Sequence, residues 1–247
     1  MARFLVLLVV LACGPVALGA LPPADDLNDV LLRNVRDGFV DYDGIRADPA
    51  FGRYVAGLAT AAEADLDTPA SRVAFFINAY NALAIQGILD GRSPGSWLKR
   101  RGYFRGRDHE VLGAPTSLNQ LEADRLLPLG EPRALFAVAC GALACPRLAN
   151  RAYDAATLDA RLEQATKAFA NDPTRNRFDP ARRIAFLSSL FEAHQAEFAR
   201  AAGSYQKYLA RYVADPAAAE LLARDGFEVR FVPDEWALNG VYRGARR

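Results

Sequence analysis

A long helix that is apolar on nearly every side is the feature that most constrains the fold of this chain. Thr68 predicts the start of the helix because its hydroxyl can accept from free backbone N–H groups, and Pro69 suits the first helical position. The helical pattern runs to about Asp90, where Gly91 ends it. A helix without a polar face must be surrounded by other elements, so we expect it at the centre of the core.

The rest of the pattern predicts an α+β fold, mostly helical, around a small β-sheet. Further helices are predicted at 25–36, 49–62, 117–128, 155–171, 189–201, 204–213 and 216–224. Strands are predicted at 111–112, 133–139 and 227–232, and residues 39–44 are interpreted as a loop. Because 247 residues with 51% hydrophobic content can bury one substantial core, we expect a single domain.

The first 20 residues have the pattern of a secretory signal peptide. Arg3 supplies the charge, residues 4–12 the apolar stretch, and small residues up to Ala20 a cleavage site. The apolar stretch is too short to span a bilayer. Alternatively, Cys13 is a lipidation site that anchors the mature chain to a membrane. Both interpretations predict a periplasmic or secreted protein, with no transmembrane helix in the mature chain.

Charge and motifs exclude several classes of partner. Without the leader and its Arg3, the chain has 29 basic and 29 acidic side chains, a balance that argues against nucleic acid as a partner. We find no Gly-rich phosphate loop, no nucleophile-elbow serine and no metal-ligand spacing in the sequence. We therefore predict no cofactor and no metal site, and the sequence leaves the oligomeric state open.

Two cysteines of the mature chain, Cys140 and Cys145, are the main candidates for chemistry. An even number of cysteines outside the cytosol first suggests a disulfide, which a turn through Gly141 would permit. Alternatively, Cys145 caps a short helix that begins at Pro146, and the helix N-terminus stabilises a thiolate nucleophile. A redox pair is a third interpretation, although the spacing is wider than in the usual two-residue redox motif.

Two amides and two histidines are the other candidates. Asn78 and Asn81 lie three residues apart, hence on one face of the apolar helix, where they either hold loop backbone or orient a substrate. His194 lies between two phenylalanines at helical spacing, which predicts a space-filling residue in an aromatic core. His109 lies among charged residues, which predicts a solvent-facing side chain.

Seven blocks of the sequence, taken in order, resemble one known family. They are FVDYDGI at 39–45, FFINAYNALAIQGIL at 75–89, SLNQLEADRL at 117–126, PRALFAVACGALACPRL at 132–148, NDPTRNRFD at 171–179, LSSLFEAHQAEF at 187–198 and DEWALN at 234–239. The series is similar to the bacterial and plant family called domain of unknown function 547. The resemblance covers roughly residues 35–240, which leaves an N-terminal lead at 21–34 and a C-terminal tail at 241–247.

The resemblance implies a set of family residues and a possible relationship of the fold to papain-like thiol hydrolases. The family residues are Asn78, Tyr80, Asn81, Glu122, Arg133, Cys140, Cys145, Asn176, Arg177 and Asn239. Relatives often have histidines at two positions where this chain has Ala123 and Leu135. If either histidine is the base of a Cys–His pair, this chain is a weakened or inactive homologue, or it recruits His109.

Two functions follow from these residues. The first is a thiol-dependent hydrolase of a small amide or peptide, with Cys145 as nucleophile, His109 as base and Asn78 as the orienting group. The second is a binding module for a small anion or peptide, in which Cys140 and Cys145 form a structural disulfide. Its anion would be held by Arg133, Arg147 or Arg177. The predicted binding residues are Asn81, Glu122, Arg133 and Cys140.

Overall fold

The mostly helical α+β architecture is confirmed in a computed structural model, which describes residues 20–244. Most of the predicted signal peptide, including Cys13, lies outside the described residues. The α-helices are α1 (Ala24–Asn34), α2 (Tyr42–Ala47), α3 (Pro49–Thr60), α4 (Pro69–Leu89), α5 (Trp97–Arg105), α6 (Leu118–Gln120), α7 (Leu158–Ala170), α8 (Ser189–Ala193), α9 (Gln195–Ala202), α10 (Tyr205–Leu209) and α11 (Pro216–Ala223). None of these helices has both the length and the apolar composition that crossing a bilayer requires.

The strands form three small sheets instead of the single sheet that was predicted. They are β1 (Val35–Arg36), β2 (Phe39–Asp41), β3 (His109–Val111), β4 (Ala114–Thr116), β5 (Arg177–Asp179), β6 (Ile184–Ser188), β7 (Glu228–Val232) and β8 (Gly240–Val241). β2 pairs antiparallel with β1 and parallel with β8, and β6 pairs antiparallel with β5 and parallel with β7. β3 and β4 form a separate antiparallel hairpin.

Helix α4 lies at the centre of the larger core, as its composition predicts. The Thr68 hydroxyl accepts from the Ser71 backbone N–H, and the Ser71 hydroxyl accepts from the Thr68 N–H, so the first turn is closed by a capping box. From residue 73 to residue 88 nearly every side chain of α4 is buried. Because α4 has no polar face, helices and loops pack around it on all sides.

A second, smaller core consists mainly of aromatic rings. The Phe136 ring lies 5.1 Å from Phe169, 5.9 Å from Phe191 and 5.8 Å from Phe198, measured between centroids. Tyr208 packs against Phe198 at 4.8 Å. These separations are typical of favourable offset and edge-on ring contacts, which add to the free energy gained by burying the rings.

Two local predictions are wrong. Residues 133–139 do not form a strand, because Pro132–Phe136 form a 3-10 helix whose first turn is capped by the Glu131 carboxylate. Residues 39–44 are not a loop, because β2 is followed at once by α2, whose N-terminus is capped by Asp41. β2 is stabilised as a strand by pairing with β8, from the other end of the chain, a contact that no local pattern reveals.

Candidate functional site

A cleft of about 860 Å³ lies where both cysteines come together with helices α4, α5 and α8. Its fourth side is a π-helical segment, Leu121–Leu126, into which α6 continues directly. Much of the wall is apolar, including Phe104, Leu135, Val138 and Trp236. A concave, mostly apolar space with a few polar groups is the usual form of a small-molecule site.

Cys140 and Cys145 are joined in a disulfide, with their Cα atoms 5.7 Å apart. The turn that brings them together passes through Gly141, whose φ is +78°. A Cβ at this position would lie 2.5 Å from Ile88 Cδ1, so both the backbone angle and the packing require glycine. Both cysteines line the cleft, and the disulfide interpretation is confirmed.

No helix begins at Pro146, so the predicted helix that would stabilise a Cys145 thiolate is wrong. The segment after Gly141 is instead held against the C-terminal region. Leu143 N–H donates to Ala237 O at 2.9 Å, and Ala144 N–H donates to Glu235 O at 2.8 Å. These long-range bonds, together with the disulfide, determine the conformation of the loop.

The amides of Asn78 and Asn81 hold loop backbone. Asn81 Nδ2 donates to Ala137 O at 2.9 Å, and its Oδ1 accepts from Ala139 N–H at 2.7 Å. Asn78 forms the same pair of bonds with the N–H and C=O of Tyr153, at 2.8 and 2.7 Å. Through Asn81, helix α4 positions the residues that lead into Cys140.

His109 is buried, and its predicted exposure is wrong. It is the first residue of β3, opposite Thr116 of β4, and it is only 8% exposed. Burial, and then the nearby Arg92, lower its pKa. The described walls of the cleft do not include His109 or Asn78, so the structure does not gather Cys145, His109 and Asn78 around one space.

His194 lies in the cleft wall, and the predicted space-filling role in the aromatic core is wrong. The helix breaks at this residue, between α8 and α9, so the spacing of a continuous helix does not apply to it. Its Nε2 lies 3.7 Å from Glu122 Oε1, and its Nδ1 lies 3.8 Å from Glu197 Oε2. Burial lowers the pKa of His194, and Glu197 opposes that change.

Glu122 and Tyr80 complete the polar part of the cleft. Glu122 lies in the π-helical segment, a conformation often found at functional sites. Burial, and then the charge of Glu197, raise its pKa to about 7. Tyr80 of α4 is 4% exposed, and its pKa is raised by burial and then by Glu122. Leu135 also lines the cleft.

The arginines proposed to hold an anion lie outside this cleft. Arg133 is surrounded by the carboxylates of Glu131, Asp159 and Glu163, at 2.7, 2.8 and 3.7 Å. Arg147 pairs with Asp172 at 3.2 Å, and the Arg177 guanidinium lies 5.3 Å from the centre of the Phe186 ring.

Sequence reasoning missed the arginines of α5. Arg100, Arg101 and Arg105 all line the cleft. The Arg100 guanidinium lies 3.8 Å from the centre of the Trp236 ring. A sequence signal was present, because residues 91–107 contain six basic side chains and no acidic one.

Residues 65–170 match the family model described as "Protein of unknown function, DUF547". The chain carries a DUF547 domain. No curated protein and no solved structure matches the chain. The matched residues include Tyr80, Glu122 and the disulfide, whereas His194 lies after the end of the matched part. The cleft is therefore built from the DUF547 domain together with residues that follow it.

Proposed function

We propose that this protein is a binding module that holds a short peptide, or another small anionic amide, in the cleft. The observation that carries the proposal is the disulfide in the cleft wall. Cys140 and Cys145 are the two cysteines within residues 20–244, and their sulfur atoms are bonded to each other. A bridged sulfur is not a nucleophile, so the cleft in this state offers binding groups in place of a thiolate.

The size and walls of the cleft suit a peptide of a few residues. A volume of about 860 Å³ falls within the range of pockets that enclose drug-sized molecules. Phe104 and Trp236 pack edge to face at 6.3 Å and form an aromatic wall. Trp97 at the start of α5 adds an exposed indole at the rim. Such surfaces bind apolar side chains through burial of area.

Arg101 and Arg105 supply the positive charge for an anionic group. Both are exposed, and neither forms an ion pair with another residue in 20–244. A guanidinium binds a carboxylate with two parallel N–H···O bonds, a geometry that also fixes orientation. We therefore assign the carboxylate of the ligand to these two residues in place of Arg133, Arg147 and Arg177.

The test compares N-acetyl tripeptides of apolar residues as free acids and as C-terminal carboxamides. Calorimetry and tryptophan fluorescence are both suitable, since Trp97 and Trp236 are the two tryptophans of the chain and both line the cleft. We expect at least one acid to bind, its carboxamide to bind about tenfold more weakly, and Arg101→Ala or Arg105→Ala to weaken binding of the acid alone.

Arg182→Ala is the matched control, because Arg182 is an exposed arginine in the turn between β5 and β6 and does not line the cleft. It should leave every affinity unchanged. If no tripeptide acid binds, or if acid and carboxamide bind equally, the proposed function is wrong.

Thiol-dependent hydrolysis is a second candidate, because Cys145 and His194 line the same cleft. Two electrons and two protons from a dithiol reductant would have to open the disulfide before Cys145 could attack a carbonyl, and His194 rather than His109 would be the base. Cleavage of the same tripeptides by reduced wild type, and not by reduced Cys145→Ser, would support this candidate. Equal inactivity of both proteins would exclude it for these substrates.

A further inference from the structure

Three polar side chains in the cleft have no hydrogen-bond partner within residues 20–244. They are the hydroxyl of Tyr80, the carboxyl of Glu122 and the imidazole of His194. Tyr80 is 4% exposed, and the side chains of Glu122 and His194 are 25% and 17% exposed. The polar atoms of these three side chains are not among the fully buried atoms of the described residues, so solvent in the cleft reaches them, and a ligand can take the place of that water as their hydrogen-bond partner.

We infer that Tyr80, Glu122 and His194 form the subsite that receives an amide group of the bound peptide. The inference rests on the proposed function, since it specifies which part of the peptide lies in the interior of the cleft. Tyr80 O–H donates to the amide carbonyl. Glu122 and His194, 3.7 Å apart, supply one donor and one acceptor between them for the amide N–H and C=O.

The surroundings favour an uncharged group at this position. Glu197, the second carboxylate near His194, also forms an ion pair with Arg200 at 3.0 Å. With its pKa raised to about 7, Glu122 is largely protonated in mildly acidic solution. A neutral carboxyl beside a neutral imidazole attracts neither an ammonium group nor a carboxylate.

Other charged groups face the same space from the remaining walls. α5 contributes Arg100, Arg101 and Arg105, and the C-terminal segment contributes Asp234, which accepts from the Ser189 hydroxyl. The three arginines lie on the α5 side of the cleft, whereas the three residues of the subsite come from α4, from the π-helical segment and from the position after α8. Asp234 reaches α8 through Ser189. The cleft therefore offers basic side chains on α5 for the carboxylate and polar side chains on other walls for the amide.

The experiment uses the tripeptide acid that binds best, together with analogues in which each amide is replaced in turn by an ester. An ester lacks the N–H and has a weaker carbonyl acceptor, so the analogue altered at the subsite should lose about five- to tenfold in affinity for wild type. Tyr80→Phe should weaken binding of the parent peptide by a similar factor. In this variant, the affinities for the parent peptide and for that ester analogue should differ less than they do in wild type. Tyr54→Phe, another buried tyrosine that lies outside the cleft, is the matched control and should leave affinity unchanged.

The role of the Glu122 carboxyl as a donor predicts a pH dependence of binding. Affinity of wild type should fall between about pH 6 and about pH 8, as Glu122 loses the proton that it offers to the carbonyl. Glu122→Gln keeps a donor and an acceptor at every pH, so its affinity should stay constant over this range.

The outcomes separate this inference from the proposed function. Tripeptide acids could bind with an affinity that is the same for every ester analogue, for both variants and at every pH. In that case the subsite is wrong and the binding module stands. If no acid binds, NMR titration of the His194 ring in ligand-free wild type and Glu122→Gln still tests the proximity of Glu122 and His194 on which the subsite depends. Identical titration curves in the two proteins would overturn it.

Discussion

Two kinds of buried polar side chain occur on helix α4, and they differ in what surrounds them. Asn78 and Asn81 are each anchored by two hydrogen bonds to loop backbone. Tyr80 is as deeply buried as either asparagine, yet its hydroxyl has no partner among the described residues. Burial therefore does not distinguish a structural polar group from a binding group. What sets Tyr80 apart is that its hydroxyl has no partner among the described residues and that the residue lines the cleft.

Helical geometry explains how neighbouring residues acquire these different roles. Positions 78 and 81 are three apart and share a face of α4, which contacts the loops at Ala137 and Tyr153. Position 80 projects to a different face, and that face lines the cleft. One rigid helix thus fixes the cysteine loop on one side and presents a free hydroxyl on the other.

The largest effect is expected from removing an anchored amide. Asn81→Ala should lower the free energy of unfolding by about 3 kcal/mol, because it leaves the Ala139 N–H and the Ala137 C=O buried without partners. Denaturant titration measures this loss. Asn171→Ala is the control, since the exposed Asn171 amide also bonds three backbone groups, which water can replace. Equal losses in the two variants would contradict the comparison.

The disulfide extends the structural side of the comparison. The Cys140→Ala, Cys145→Ala double variant should lose about 2 kcal/mol of unfolding free energy, because the loop closed by the bridge is short and constrains the unfolded chain only moderately. Comparison of wild-type denaturation with and without reductant should give a similar difference. A protein that does not fold without the bridge would show that the loop depends on the disulfide more than on its bonds to Glu235 and Ala237.

Substitution of Glu122 should raise the free energy of unfolding, whereas the two substitutions above lower it, because the fold destabilises the charged form of this carboxyl group. Its pKa rises from the ordinary value of 4.5 to about 7 in the folded protein, so the folded state holds a proton that the unfolded chain releases. Stability from this group is present at low pH and is lost as the pH rises through about 7. The shift corresponds to at most about 3 kcal/mol, which the partial exposure of the side chain reduces to about 1.5.

Glu122→Gln should therefore raise the unfolding free energy at about pH 8 by about 1.5 kcal/mol and leave it nearly unchanged at about pH 4. Denaturant titrations of both proteins at the two pH values measure this difference. An equal gain in unfolding free energy at both pH values would show that Gln improves packing and that the charge of Glu122 is not responsible.

Two tyrosines give the smallest and sharpest contrast. Tyr103 O–H lies within hydrogen-bond distance of Ala84 O at 2.9 Å and Cys140 O at 3.0 Å, so Tyr103→Phe should cost about 1 kcal/mol. Tyr80→Phe removes a hydroxyl that has no partner in the described structure, so the unfolding free energy should stay the same or rise slightly. Thermal denaturation distinguishes the two. A marked loss of stability in Tyr80→Phe would mean that its hydroxyl has a structural role.

Local patterns predicted those parts of the fold that depend on local physics. The start of α4 follows from Thr68 and Pro69, and its burial from its composition. The disulfide was one of the alternatives left open by two cysteines around Gly141. The predictions for residues 39–44 and for residues 133–139 failed because a distant strand and a side-chain cap determine those conformations.

The candidate site was predicted less well, since its residues come together only in three dimensions. Cys140 was recognised from the cysteine pair and Glu122 from the family resemblance, but His194 was assigned to the aromatic core because its spacing was taken as that of one helix. The helix break rotates His194 towards Glu122, 72 positions earlier in the chain. The arginines of α5 were visible as a basic run, but no sequence pattern showed that they border the same cleft.

The sequence by itself determined the apolar central helix, the family resemblance and the residue types available for chemistry, because composition and short-range spacing encode them. Only the tertiary structure decided which polar groups are satisfied. A hydrogen bond requires a partner at about 3 Å, and for Asn81, Tyr80 and His194 the presence or absence of that partner depends on segments tens of residues away. The distinction between an anchor and a binding group is therefore a property of the folded chain.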